Sequence, residues 1–475
     1  MSPTRLVPDD QQALSLLGAA AAALLLMFAA FVVIGPVGLL LPVGLAVVLA
    51  GIRWPAFAVG LAVVPAVIIE LALGDGFAPG SQFYRVGVAN ITVSEIVVWF
   101  AVGCVVLDCV RRRRLPPVPA PVGVALGLMA VAILVGTIVG YSAGAGLKTQ
   151  FDGIRNVLPL LVSIPMVAAV MPENDRMRPV LTGAAALIAL KAFLGLVQQA
   201  QFGGLGITNI VYFEPTANWL FVLYLLGLVA CRLRRVSVPW WVWAFAPLVA
   251  FEFVAGLKRS LWIGLVAGLV LVVALGLSRL GRRLAIPAIL AVGALVWVLV
   301  SAGFGDSLQG PVAQRVESLR PSKLAVNRAD RYRLDERANV WDAIKQQPLT
   351  GLGQGVTWKA VHPLGIEYED LRGYVHFAAL WFWMKYSLLG LLAYIALMGS
   401  SLWLGLAVFR RQTDPLQAAL GLGFAGAIVA LVVAELTVTW IGAEPRFTLV
   451  VGAATGIACG MLPRTPSRLP AAPDG

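Results

Sequence analysis

Charge is scarce in this sequence, and so are the residues that most often carry chemistry. Only 13% of its 475 residues are charged while 59% are hydrophobic, and the mean hydropathy is +0.86. Too few polar side chains remain to cover soluble domains of that size, so the chain reads as an integral membrane protein. There are two histidines and four cysteines (Cys104, Cys109, Cys231 and Cys459), with no HExxH and no paired Cys/His spacing. A zinc hydrolase is therefore unsupported, and neither a metal nor a cofactor is expected. The one GxSxG, GYSAG from Gly140 to Gly144, closes a long apolar run rather than joining a strand to a helix, so a serine-hydrolase elbow is unsupported. Repeats of 20 to 50 residues are absent, and compositional bias is confined to the proline-rich 115–121 and the tail 463–475, both read as cytoplasmic.

The net charge of +12 raises nucleic acid as a partner. The basic residues, however, gather in short loops between apolar runs, where they orient a membrane protein; no nucleic acid is expected. The runs are about 17 to 25 residues long, the length that crosses hydrocarbon as helix, and lack the alternation of barrel strands. They fall near 13–34, 37–52, 54–73, 91–110, 121–140, 152–171, 179–202, 215–231, 239–256, 259–278, 284–302, 378–409, 416–440 and 446–462, with the long run 378–409 expected to break near Lys385. The fold class is all-α, a polytopic membrane helical bundle of about 12–14 transmembrane helices, with residues 1–475 forming one membrane domain.

Boundaries and charge agree on an orientation. Arg53, Arg111 to Arg114, Arg176, Arg178, Arg232, Arg234, Arg235, Arg279, Arg282, Arg283, Arg410, Arg411, Arg464 and Arg468 fall on one face, read as cytoplasmic together with both termini. The interval 303–374 is then a large extracytoplasmic loop containing short helices. It holds 19 of the chain's 60 charged residues, far more than its share, so it belongs in water. The same parity places Lys148, Arg155, Lys258, Arg259 and Arg446 at outer helix ends, against the orientation rule. Headgroup contact accounts for one such cation; five at one level point to a polyanionic headgroup such as a diphosphate, which suits the planar fork of arginine.

Within the loop, Asp335 to Gln347 reads DERANVWDAIKQQ, a short amphipathic helix with Arg337, Trp341 and Ile344 on one face and Pro348 ending it. The following PLTGLGQG permits tight turns but lacks the residues of a P-loop, so it reads as a turn rather than a phosphate nest. His376 stands where the polar loop re-enters the membrane, near Arg372 and the acidic group Glu367, Glu369 and Asp370, and is a candidate base for an acceptor hydroxyl. His362, in a glycine-rich turn before Pro363, is assigned no chemistry.

The stretch ERANVWDAIKQQPLTGLGQG, the later VHFAALWFWMKYSLLGLL and the upstream GLKRSLWIGLVAGL together resemble the core of the O-antigen ligase and O-antigen polymerase superfamily, from about Lys258 to Tyr394. The matching positions are Arg259; Arg337, Trp341, Pro348, Leu349, Gly351 and Gly353; and His376. The chain departs from the family pattern at Phe377, where asparagine is usual, and at Lys258 and Ser260, which flank the arginine. The resemblance implies a metal-independent glycosyltransferase of bacterial polysaccharide biosynthesis in the cell envelope. It would act on the outer face of the cytoplasmic (inner) membrane and move a glycan from a polyprenyl-diphosphate carrier such as undecaprenyl diphosphate to a glycan, lipid or protein acceptor. His376, Arg337 and Arg259 are the expected catalytic set. Arg155, Lys258, Arg372, Trp341, Arg446, Glu367, Glu369 and Asp370 are expected to bind substrate. The competing readings are a transporter or flippase of lipid-linked glycan, whose mark is ionisable residues at mid-membrane, and a non-catalytic scaffold.

Overall fold

The structure is a computed structural model that describes residues 40–69, 81–84, 87–88, 91–172, 176–201, 215–256, 258–278, 283, 287, 328–362 and 373–463. The helices are α1 (Leu40–Arg53), α2 (Pro55–Ile68), α3 (Val93–Arg112), α4 (Ala120–Ser142), α5 (Leu147–Val170), α6 (Met177–Gln201), α7 (Pro215–Leu233), α8 (Trp240–Ala255), α9 (Arg259–Gly276), α10 (Arg328–Gln346), α11 (Ala378–Arg411), α12 (Pro415–Glu435) and α13 (Pro445–Met461). A two-residue antiparallel pair, β1 (Gly87–Val88) with β2 (Ile91–Thr92), leads into α3. Among the described residues, eight helices (α3 to α7, α9, α11 and α12) are long and apolar enough to cross a membrane. The chain is an all-α, multi-pass membrane bundle. The expected runs at 13–34 and, nearly all of it, 284–302 lie outside the described residues.

Local chemistry sets several boundaries. Pro55 disfavours helical geometry at Trp54, which adopts φ −130°, ψ 83°, and α1 and α2 meet there at a bend of 117°. Thr92 and Glu95 form a reciprocal capping box at the start of α3. Inside the bundle, hydrophobic burial gains nothing over lipid, so close packing depends on small residues that let backbones approach. A Cβ on Gly268 would stand 2.5 Å from the carbonyl oxygen of Gly426, which fixes how closely α9 meets α12. Gly405 and Gly421 do the same between α11 and α12.

Side-chain contacts sort the helix ends into two faces. At one face the starts of α3 and α5 meet through Glu95 and Arg155, the start of α13 reaches the end of α2 through Arg446 and Ile69, and α10 bridges the start of α11 and the end of α12. At the other, Arg178 lies 3.8 Å from Asp414, Gln412 donates to the carbonyl of Met461, and Arg234 stacks over Phe409. Arg178 and Arg234, two arginines of the short basic loops, belong to this second face.

The expected break in the long run falls one residue after Lys385. Tyr386 and Ser387 leave helical geometry, Ser387 with φ 70°. Across that break the carbonyl of Met384 and the amide of Leu388 lose each other, and the turn after α10 replaces both partners. Leu352 and Gly353 donate to the Met384 carbonyl at 2.9 and 3.1 Å, and Leu388 donates to Leu349 at 3.1 Å. The glycine-rich segment is thus a plug that closes a helix break; Gly351 and Gly353, at φ +63° and +93°, supply the left-handed backbone it needs.

Candidate active site

α10 is longer than the sequence pattern indicated, and its buried face is different. Tyr332, Glu336, Asn339, Val340 and Ile344 form the buried stripe, whereas Trp341 is 42% exposed, lies edge-on to Trp383 and carries Lys345 over its ring. An apolar periodicity selects Trp341; two of the five stripe residues, Glu336 and Asn339, are instead polar, and they are buried because each serves the backbone of another segment. Asn339 accepts from the amides of Val361 and His362 at 2.6 and 2.7 Å and donates to the carbonyls of Asp335 and His362. Glu336 accepts from the His376 amide at 2.7 Å, and its Oε2 lies 3.0 Å from the His376 Nδ1.

Arg337, one residue on, donates to the carbonyl of His376 at 3.3 Å and to that of Leu436, and its guanidinium lies 5.1 Å over the ring of Phe377. That contact gives Phe377 a physical role at the position where the family pattern has asparagine. Burial, together with the charge of Arg333, pulls the Arg337 guanidinium below its ordinary value, and Glu336 opposes them. Its buried Nε has no hydrogen-bond partner among the described residues. Arg337 and His376, 39 positions apart, are therefore brought into one site.

The imidazole is boxed as well as held. Tyr374 lies edge-on to it at 4.8 Å and Tyr332 at 6.2 Å. Tyr374 is fixed in turn by a hydrogen bond to the Thr439 carbonyl at 2.6 Å and one from the Thr439 amide at 3.1 Å, and burial pushes its phenol well above the ordinary value. Thr439 belongs to the connection 436–444, whose path is set by Glu435: its carboxylate accepts from the amides of Trp440 and Ile441 and from the Tyr394 hydroxyl. His362 is elsewhere in the loop, exposed and bonded to Asp342 at 2.7 Å; that bond, with one from Lys345, holds the Asp342 carboxyl below its ordinary range.

The remaining expected residues separate into two groups. Arg259 opens α9 and Lys258 precedes it, at a helix N-terminus whose dipole favours an anion. Lys258 lies near Glu444: burial pushes that carboxyl up and the lysine charge opposes the shift. Arg155 and Arg446 line a separate cavity of about 680 Å³ between α2, α3, α5 and α13. Arg155 is gripped there by Glu95 through Nε and Nη2, while Arg446 donates to the Ile69 carbonyl and stacks over Tyr84. Arg372, Glu367, Glu369 and Asp370 lie outside the described residues.

Sequence reasoning passed over Glu336, Tyr332, Tyr374 and Asn339. A carboxylate and an amide on one helical stripe with Tyr332, Val340 and Ile344 were the available signal for the two polar ones. No curated protein matches the chain. Residues 243–395 match the family model described as O-antigen ligase; the match takes in Lys258, Arg259, Arg337 and His376 and supports likeness to the O-antigen ligase-like superfamily over that stretch.

Proposed function

We propose that the chain is a glycosyltransferase that moves a glycan from a polyprenyl-diphosphate carrier to an acceptor hydroxyl at the outer face of a bacterial cytoplasmic membrane, without a metal ion. The observation that carries this reading is the bond from Arg337 to the His376 carbonyl, which joins a cation of the polar loop to an imidazole at the head of α11 within the family-matched stretch. The acceptor oxygen attacks the anomeric carbon, its proton passes to His376, and the carbon–oxygen bond to the diphosphate breaks with the electron pair leaving on the diphosphate. Arg337, Arg259 and Lys258 are the cations assigned to that developing charge, because each sits at a helix end or a membrane boundary where screening is weak. Arg155 and Arg446 are assigned to the glycan, since both line a cavity whose walls include neither His376 nor Arg337. Trp341, exposed on α10, is assigned to substrate contact, and Arg372, Glu367, Glu369 and Asp370 are assigned to the acceptor side.

The orientation is part of the proposal. The face rich in arginine is cytoplasmic by the positive-inside rule, and the face of His376 is outside. A cysteine placed at Arg112 is then protected from an impermeant thiol reagent in intact cells and one placed at Ser322 is labelled; the reverse pattern overturns the orientation. Most described ionisable residues within apolar runs lie near a helix end or a break, which favours an enzyme over a transporter: Glu95, Glu252 and Glu435 occupy terminal turns of their helices, Lys385 lies beside the α11 break, and Lys191, buried within α6, donates to the Ile68 carbonyl at the end of α2. Purified protein in vesicles with a polyprenyl-diphosphate-linked glycan and an acceptor tests the reading. Transfer without an ion gradient is expected, and movement of the donor across the bilayer without transfer contradicts it. A ladder of products identifies a polymerase and a single joined block a ligase.

A further inference from the structure

We propose that Glu336 is a positioning residue for His376, one that assigns its tautomer and leaves Nε2 as the nitrogen that takes the acceptor proton. This inference rests on the transfer reading above. The carboxylate is fully buried, and a single oxygen, Oε2, faces both the backbone amide of His376 at 2.7 Å and its ring Nδ1 at 3.0 Å. The amide can only donate, so Oε2 is an acceptor there, and a carboxylate oxygen has a second lone pair for a ring N–H. The other oxygen, Oε1, is buried with no hydrogen-bond partner among the described residues. A proton on Oε1 would be a buried donor with nothing among the described residues to accept it. A proton on the line between Oε2 and Nδ1 rests on the imidazole, ordinarily the stronger base of the two, so the arrangement is an ionised Glu336 and a ring proton on Nδ1.

The two tyrosines complete the device. Tyr374 and Tyr332 approach the imidazole edge-on from different segments, so the ring cannot turn to exchange its nitrogens without displacing one of them. The other charged groups of this cluster among the described residues include Arg337, bonded to the His376 carbonyl, Arg333, which bears on Tyr374 and Arg337, and Glu435, which bears on Tyr374. When Nε2 accepts the proton of the acceptor hydroxyl, the ring becomes an imidazolium whose Nδ1–H already points at the Glu336 carboxylate. The charge formed on the base is thus met by a group that needs no rearrangement, the logic by which a buried carboxylate supports a histidine base in hydrolases.

The chain has only two histidines, which permits a direct reading of the tautomer. In a His362→Gln background the reconstituted protein, labelled with ¹⁵N-histidine, carries one imidazole. Its nitrogen spectrum is expected to show the neutral ring protonated on Nδ1, and Glu336→Leu is expected to shift the population toward Nε2–H. Glu336→Gln keeps an acceptor oxygen and the tautomer but loses the charge. It should lower kcat while leaving KM for the lipid-linked donor within about twofold, the loss staying below the roughly 10²- to 10⁴-fold that removing the base itself costs. A wild-type ring protonated on Nε2, a tautomer unchanged in Glu336→Leu, or unchanged kcat in Glu336→Gln overturns the assignment. These results are distinct from failure of the transfer reading, which would appear as near-wild-type turnover in His376→Ala whatever the nitrogen spectrum shows.

Discussion

The carbonyl of Met384 and the amide of Leu388, four residues apart in α11, do not bond to each other; both are bonded to the turn that follows α10. A break in a membrane helix would otherwise leave two backbone groups unpaired in a low-dielectric interior. Because the partners come from residues 349–353, the same turn that closes the break also ties α10, with Glu336 and Arg337 on it, to the helix headed by His376.

Gly353 is the point at which this coupling is most exposed to substitution. Its φ is +93°, and a Cβ there would stand 2.3 Å from the amide nitrogen of Gly140 in α4. Gly353→Ala should cost at least about 1–2 kcal/mol from the left-handed backbone alone, with the clash adding to it, and transfer should fall with it. Gly399→Ala is the control, since nothing lies within 4 Å of a Cβ at that helical position. Thermal unfolding in detergent is expected to separate the two variants clearly, with Gly399→Ala at or above wild type.

Asn339 holds the 361–362 segment to α10 with both ends of its amide. Asn339→Ala removes an acceptor shared by two backbone donors and should destabilise the protein by about 1–3 kcal/mol. Asn339→Asp keeps the acceptor and should recover part of the loss. Protease sensitivity near His362 is the local readout: faster cleavage in Asn339→Ala than in wild type is expected, and equal rates would separate this side chain from loop order.

Much of this architecture was legible in the sequence. Apolar runs marked the helices because a bundle in lipid must be apolar all round, and Lys385 signalled the break because a lysine inside such a run needs a polar partner, here the Val356 carbonyl at 2.8 Å. Arg337 and His376 were legible as a pair through a resemblance to known proteins. The grip of Glu336 was not, because a buried carboxylate interrupts the apolar stripe that periodicity follows. The role of the glycine turn was hidden too: its partners are freed by a break about 30 residues downstream, a relation that only the folded backbone supplies.

Glu95 and Arg155 form a two-point ion pair in which the carboxylate also caps α3. Arg155→Ala should therefore act first on stability. A double-mutant cycle with Glu95→Gln is expected to show a coupling of about 0.5–3 kcal/mol. Additive effects would mean that Arg155 spends its charge elsewhere, on the diphosphate.

Arg259 is expected to behave differently. Arg259→Lys keeps the charge and loses the planar fork, so transfer should drop on the order of 10- to 100-fold at equal protein level, and Arg259→Ala further. Steady-state kinetics with varied lipid-linked donor measure this, and unchanged donor dependence in both variants would leave Arg259 as a headgroup anchor.

The central claim, that His376 is the base for the acceptor hydroxyl, is tested most directly by single-turnover transfer with purified His376→Ala in vesicles preloaded with polyprenyl-diphosphate-linked glycan. The variant should insert, fold and bind the donor as wild type does, because the diphosphate is assigned to Arg337, Arg259 and Lys258, while its transfer rate falls by about 10²- to 10⁴-fold. Transfer at close to the wild-type rate would contradict the account.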